Sequence, residues 1–108
     1  MPTEPLVCDI AISSSGLNVT MSGCLDLYTV AETRRRLDNA LVGQEGWVAV
    51  DVQCVMFIDS AGLALLIWLA KRLAGRPKPK ITARVGSQPA RILDLSRLEV
   101  ILDIVYVG

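Results

Sequence analysis

The sequence has no histidine, no excess of charge of either sign and few aromatic residues, 5% of 108. Without histidine the commonest general base is missing, which excludes Ser-His-Asp and Cys-His nucleophilic machinery and His-ligated metal centres. Eleven basic residues balance eleven acidic ones. A neutral chain whose basic residues are not interleaved with aromatics is not built to hold nucleic acid. Three cysteines, Cys8, Cys24 and Cys54, form no C-x-x-C pair and no even framework, so they read as free thiols in a reducing compartment. No long hydrophobic run occurs. The stretch from Ala61 to Ala70 falls short of the roughly 20 residues that span a bilayer, and the first residues have neither the basic start nor the apolar run of a signal peptide. The expectation is a cytoplasmic protein without membrane insertion.

What is present is a 52% apolar chain of the length of one domain, ample for a core and too apolar for disorder. Leu6 to Ile12 alternates around Cys8, Ile10 and Ile12; Ser13 to Gly16 supplies a turn; Leu17, Val19 and Met21 alternate again, predicting a hairpin that ends near Gly23. Thr29 to Leu41 fits an amphipathic helix with Val30, Leu37, Ala40 and Leu41 on its apolar side. Trp47 to Val52 reads as a buried strand. Asp59 or Ser60 offers an N-cap to a helix running from Ala61 to Leu73, closed by Gly75 and Pro77. Lys80 to Val85 reads as a strand, Pro89 opens a helix, and Ile101 to Val107 forms a last strand. The order β-β-α-β-α-β-α-β predicts an α/β domain over residues 1–108, with a mixed, mostly parallel sheet and helices packed on it.

The informative segment is Asp59-Ser60-Ala61-Gly62-Leu63. It lies where a strand gives way to a helix, and helix N-termini offer unpaired N–H groups and partial positive charge to an anion. Gly62, lacking a Cβ, lets another backbone approach the first turn. An ordinary cap explains the same residues. Charge is distributed unevenly: residues 1–33 carry Glu4, Asp9, Asp26 and Glu32 and no base, while residues 60–93 carry Lys71, Arg72, Arg76, Lys78, Lys80, Arg84 and Arg91 and no acid. The basic stretch suits an acidic surface or a phosphate, or is a solvated face. The helix after Ser60 is apolar nearly all round, so a neighbouring helix, a partner or a second copy of the chain, as in a homodimer, is expected to cover part of it. Trp68 is the candidate anchor for a partner.

The run Phe57-Ile58-Asp59-Ser60-Ala61-Gly62-Leu63-Ala64-Leu65-Leu66, with Ser22-Gly23-Cys24-Leu25-Asp26-Leu27 and Thr29 upstream, resembles the STAS domain family, in particular the bacterial anti-sigma factor antagonists. The resemblance implies a binding module that is not an enzyme and needs no metal or cofactor. Its unphosphorylated form would bind an anti-sigma factor with serine kinase activity and free a sigma factor; phosphorylation would switch it off, and a serine phosphatase would restore it. By that match Ser60 is the phosphoacceptor, and Asp26, Thr29, Asp59, Ser60, Ala61, Gly62 and Leu63 face the partner. Asp26 is equally a turn aspartate. Cys24 stands where the family usually has an acidic residue, and Ala61 where a second hydroxyl is common, leaving Ser60 as the one hydroxyl of the motif. A second resemblance, through Gly62 to Leu66, is to constitutive STAS subunits that dock on an ABC ATPase of lipid-transport systems. A carboxylate cluster of Asp26, Asp51 and Asp59 is the enzymatic alternative, without a base or metal-ligand spacing beside it. The resemblance leaves weak nucleotide binding open.

Overall fold

The computed structural model describes residues 5–108. Strand β1 (Val7–Ile12) and strand β2 (Gly16–Leu25) form the expected hairpin; helix α1 (Val30–Leu41) leads to strand β3 (Trp47–Ile58), helix α2 (Ser60–Arg72), strand β4 (Lys80–Arg84), helix α3 (Gln88–Ser96), a 3-10 turn (Leu98–Val100) and strand β5 (Asp103–Val107). The strands lie in the sheet in sequence order, β1 antiparallel to β2 and the other neighbours parallel. Right-handed crossovers between successive neighbours place successive helices on one side of such a sheet.

Burial follows from that arrangement. Leu17, Val19 and Met21 of β2, Val48, Val50 and Val52 of β3, and Ile81 and Ala83 of β4 are buried, and they pack with Leu37 and Leu41 of α1, Leu65, Leu66 and Leu69 of α2 and Leu93 of α3. The alternate positions are polar or only partly covered: Asn18, Thr20 and Lys80 are exposed, and Ala49, Asp51 and Thr82 are half-buried. The segment read as a buried strand is therefore covered on one face only. Its valines follow the period of two that one-sided burial requires, and the alanine and aspartate between them fill the other face.

Two strands run further than the alternation indicated. β2 continues past Gly23 to Leu25, and β3 past Val52 to Ile58, through register irregularities between Thr20 and Ser22 and between Gly23 and Cys24. Strand β4 pairs with β3 only through Ala49, Asp51 and the residue between them. Where that ladder stops, Asp51 turns its carboxylate onto the Gln53 N–H at 2.9 Å. At the far end the Gln88 side chain, at the start of α3, takes over: its Oε1 accepts from the Ile58 N–H and its Nε2 donates to the Ile58 carbonyl, both at 2.8 Å. One amide side chain thus pairs with the backbone as a neighbouring strand would, on the residue that precedes Asp59. The hairpin edge has a guard of its own, since Arg36 of α1 donates to the Cys8 carbonyl at 2.6 Å.

Candidate functional site

Ser60 is the first residue of α2 and is exposed. Its position is fixed by Asp59, which is the N-cap in extended conformation. One carboxylate oxygen accepts from the Gly62 N–H at 2.9 Å and the other from the Leu27 N–H at 3.0 Å. The first bond satisfies a helix donor that has no partner within the helix. The second ties α2 to the loop between β2 and α1, 32 residues away in sequence. The Asp59 N–H itself donates to the Leu25 carbonyl at 3.3 Å. A single aspartate joins two segments that the sequence marked separately.

Gly62 explains how they come so close. A Cβ there would overlap the Leu25 carbonyl oxygen and crowd Ile58 Cγ2 at 2.8 Å. The first turn of α2 rests directly on the end of β2, as the absence of a side chain at this position suggested. Gly62 is buried and offers no surface to a partner.

Asp26 also departs from the partner-facing role that the resemblance implied. Its residue is 3% exposed. Its Oδ1 accepts from the Tyr28 N–H at 2.9 Å, and its carbonyl accepts from the Thr29 and Val30 N–H groups. These bonds build the turn that opens α1, the role of a turn aspartate. The other oxygen, Oδ2, is buried without a partner. Thr29 is half-buried, with its hydroxyl donating to the Cys24 carbonyl at 2.9 Å and accepting from the Asp26 N–H at 3.1 Å. Asp26, Thr29 and Gly62 set the backbone around the site; exposed Ser60 and half-buried Ala61 and Leu63 form its surface.

The turn pushes apolar side chains outward. Leu27 is 67% and Tyr28 81% exposed, and Phe57, opposite Cys24 in the β2–β3 register, is 45% exposed. These apolar side chains are exposed on the two segments that flank Ser60, the β2–α1 loop and the end of β3. From there a shallow groove runs between α1 and α2, lined by Val30, Ala31, Arg34, Ala61, Ala64 and Trp68. The guanidinium of Arg34 lies over the Trp68 ring, 4.8 Å from its centroid, a cation–π contact. Trp68 is half-buried, so the expected covering of α2 comes in part from α1 itself. An ion pair from Arg72 to Asp38, 3.2 Å, closes the two helices at the other end.

The alternative carboxylate cluster is not assembled. Asp51 sits seven positions before the end of β3, roughly 26 Å from Asp59 along an extended strand, and is bonded to Gln53. Among the described residues no group of three His, Cys, Asp or Glu could hold a metal ion, and no helix is long and apolar enough to cross a membrane. Leu27, Tyr28, Arg34 and Gln88 were not singled out by sequence. The apolar pair beside Asp26 was a readable signal, since a turn seldom needs two large apolar residues; the reach of Gln88 to Ile58 had none.

A family model described as "Mlab, STAS domain" matches residues 8–105. Among solved structures, the chain is similar to an anti-sigma factor antagonist from Mycobacterium paratuberculosis, with TM-score 0.81 and 20% identity over 95% of this chain and 86% of that one. It is similar to the anti-sigma factor antagonist SpoIIAA in its unphosphorylated form, with TM-score 0.74 and 16% identity over 94% of this chain and 89% of the other. The phosphorylated form of the Bacillus cell fate determinant SpoIIAA aligns with TM-score 0.62 and 17% identity over 94% and 92% of the two chains. At these identities the likeness is one of fold, and it agrees with the family match over nearly the whole chain. The chain belongs to the STAS domain family.

Proposed function

We propose that this STAS domain, taken as residues 1–108, is an anti-sigma factor antagonist that acts by binding and carries no catalysis of its own. The observation that carries the reading is the exposed hydroxyl of Ser60 at the first position of α2, beside exposed Leu27, Tyr28 and Phe57. An anti-sigma factor with serine kinase activity binds this surface in the cytoplasm and phosphorylates Ser60; a serine phosphatase reverses the change. The likeness to SpoIIAA, solved in phosphorylated and unphosphorylated forms, supports the reading.

The switch needs no change of fold. A phosphate adds about −1.5 to −2 charges and three acceptor oxygens at neutral pH. Beside the Asp59 carboxylate it makes a concentrated negative patch at the start of α2. Like charges opposed across an interface cost several kcal/mol, while moving a partner from almost fully bound to almost fully free takes about 5.5 kcal/mol. Local repulsion and desolvation are of the right order.

A second reading, a constitutive subunit docking on an ABC ATPase of a lipid-transport system, has one observation in its favour. The matching family model is described as a Mlab STAS domain, with no mention of sigma factors, and the groove bearing Arg34 and Trp68 needs no modification to bind. Incubation with candidate anti-sigma kinases and ATP, followed by mass spectrometry of wild type and Ser60→Ala, separates the two. Phosphate on Ser60 supports the antagonist; none with any kinase, together with stable capture of an ABC ATPase, overturns it.

A further inference from the structure

The basic stretch identified in the sequence begins in the last turn of α2, with Lys71 and Arg72. Four of its residues, Lys71, Arg72, Arg76 and Lys78, lie at or just beyond the end of that helix opposite Ser60, about 20 Å away by the rise of a 13-residue helix. Lys71, Arg76 and Lys78 line a cavity of about 300 Å³ whose remaining wall is apolar, formed by Ala70, Leu73, Ala74, Pro79 and Ile101. No acidic side chain lines it. Lys78 is oriented by donating to the Glu99 carbonyl at 3.1 Å. Arg76 is half-buried, and its Nη1 is buried with no hydrogen-bond partner. The two ion pairs among the described residues, Arg35 with Glu32 and Arg72 with Asp38, involve none of the three.

An orphaned guanidinium N–H is costly, because the donor has given up water and received nothing, and the cost is larger for a charged group than for a neutral one. Solvated basic residues do not carry that cost. Cations near a helix C-terminus complement its dipole, which accounts for Lys71 and Arg72 but not for a buried donor. A turn of the Arg76 side chain out of its buried position would bring its guanidinium to an acceptor placed in the cavity, in the field of three cations.

We infer that this cavity binds a phosphate group carried on a small organic body: the guanidinium and the two ammonium groups hold the phosphate, and the apolar wall takes what is attached to it. Arginine suits phosphate through its planar fork of donors, and lysine adds point charge. The cavity, about 300 Å³, is at the small end of ligand sites, which fits a headgroup or a free small phosphate. The site is separate from Ser60, so the proposal stands whichever partner docks there.

The test titrates the full chain with inorganic pyrophosphate by NMR, and in parallel with phosphatidic-acid vesicles against phosphatidylcholine vesicles in flotation. The expected result is saturable shifts at the Ala74, Arg76 and Lys78 amides, with affinity reduced at least about tenfold in Arg76→Gln and in Lys78→Gln, and retained in Arg91→Gln, a basic residue outside the cavity. Binding of pyrophosphate identifies a free phosphate as sufficient; binding of phosphatidic-acid vesicles alone, lost in Arg76→Gln, identifies a lipid headgroup. Unchanged circular dichroism and melting of the variants show that the loss is not one of folding, and Lys78→Gln, at an exposed position, serves if Arg76→Gln fails to fold. Equal losses in Arg91→Gln, or no saturable binding of either probe, overturns the proposal.

Discussion

The Asp59 carboxylate holds the Leu27 N–H with one oxygen and the Gly62 N–H with the other, and so ties the β2–α1 loop to the N-terminus of α2. Replacing Asp59 by Asn keeps one carbonyl oxygen and turns an NH2 toward a donor. Asp59→Ala removes both acceptors. The expected loss for Asp59→Ala is about 1–2 kcal/mol, the usual range for an N-cap, with Asp59→Asn in between. Chemical denaturation measures the loss, and hydrogen exchange at Leu27 and Tyr28 shows the loop released. A loss without faster exchange there contradicts the bridging role.

Gly62 tests how tightly α2 sits on β2. The overlap with the Leu25 carbonyl involves backbone, which cannot rotate away, so Gly62→Ala must displace the helix. The expected cost is about 1–3 kcal/mol, as for other overpacked cores, despite the better helix propensity of alanine. A Gly62→Ala variant that melts at or above the wild-type temperature would show that the contact has slack.

Gln88 replaces a strand with a side chain. Gln88→Ala leaves the N–H and the carbonyl of Ile58 without their partners, and the expected loss is about 1–3 kcal/mol. Gln88→Glu keeps an acceptor for the N–H but opposes a carboxylate to the carbonyl, so it is expected to be no better than alanine. Equilibrium unfolding of the two variants decides. Faster exchange of the Ile58 amide in both would place the damage at the end of β3, next to Asp59.

Burial holds the Cys8 thiol above its ordinary value, against the lowering effect of the Arg36 charge. The folded protein therefore keeps its thiol proton to higher pH than the unfolded chain. Stability is unaffected by this group below the ordinary thiol range and falls as the pH climbs from there through the raised value. Melting temperatures of wild type and Cys8→Ala across that alkaline window are expected to converge as the pH rises. Parallel curves would mean that the thiol ionises as freely in the fold as outside it. Exposed Cys54 is expected to react first with a thiol reagent at neutral pH.

The element order was readable because each segment declared its period: Leu17, Val19 and Met21 alternate, and the apolar run from Ala61 onward is bounded by Asp59 and Gly75. The motif around Ser60 was readable because cap, glycine and hydroxyl are neighbours in sequence. Asp26 was ambiguous, since a turn aspartate and a surface aspartate have the same local sequence; only the 3% exposure separates them. Gln88 and Arg36 act on backbone 30 and 28 residues away, and nothing local to either residue marks such a partner. The one-sided sheet was hidden because Ala49 passes equally well for a core residue and for a cover of the open face.

The central claim is that a negative charge at Ser60 removes the partner without altering the fold. Its most direct test is the affinity of the cognate anti-sigma factor for the wild type, Ser60→Ala and the phosphorylated protein, measured by calorimetry. The account predicts similar binding for the first two and a loss for the phosphoprotein approaching 10⁴-fold, about 5.5 kcal/mol, with backbone amide shifts confined to the loop 26–29 and the first turn of α2. Equal affinity of the phosphorylated and unphosphorylated forms, or a phosphoprotein whose α2 has moved relative to the sheet, would contradict it.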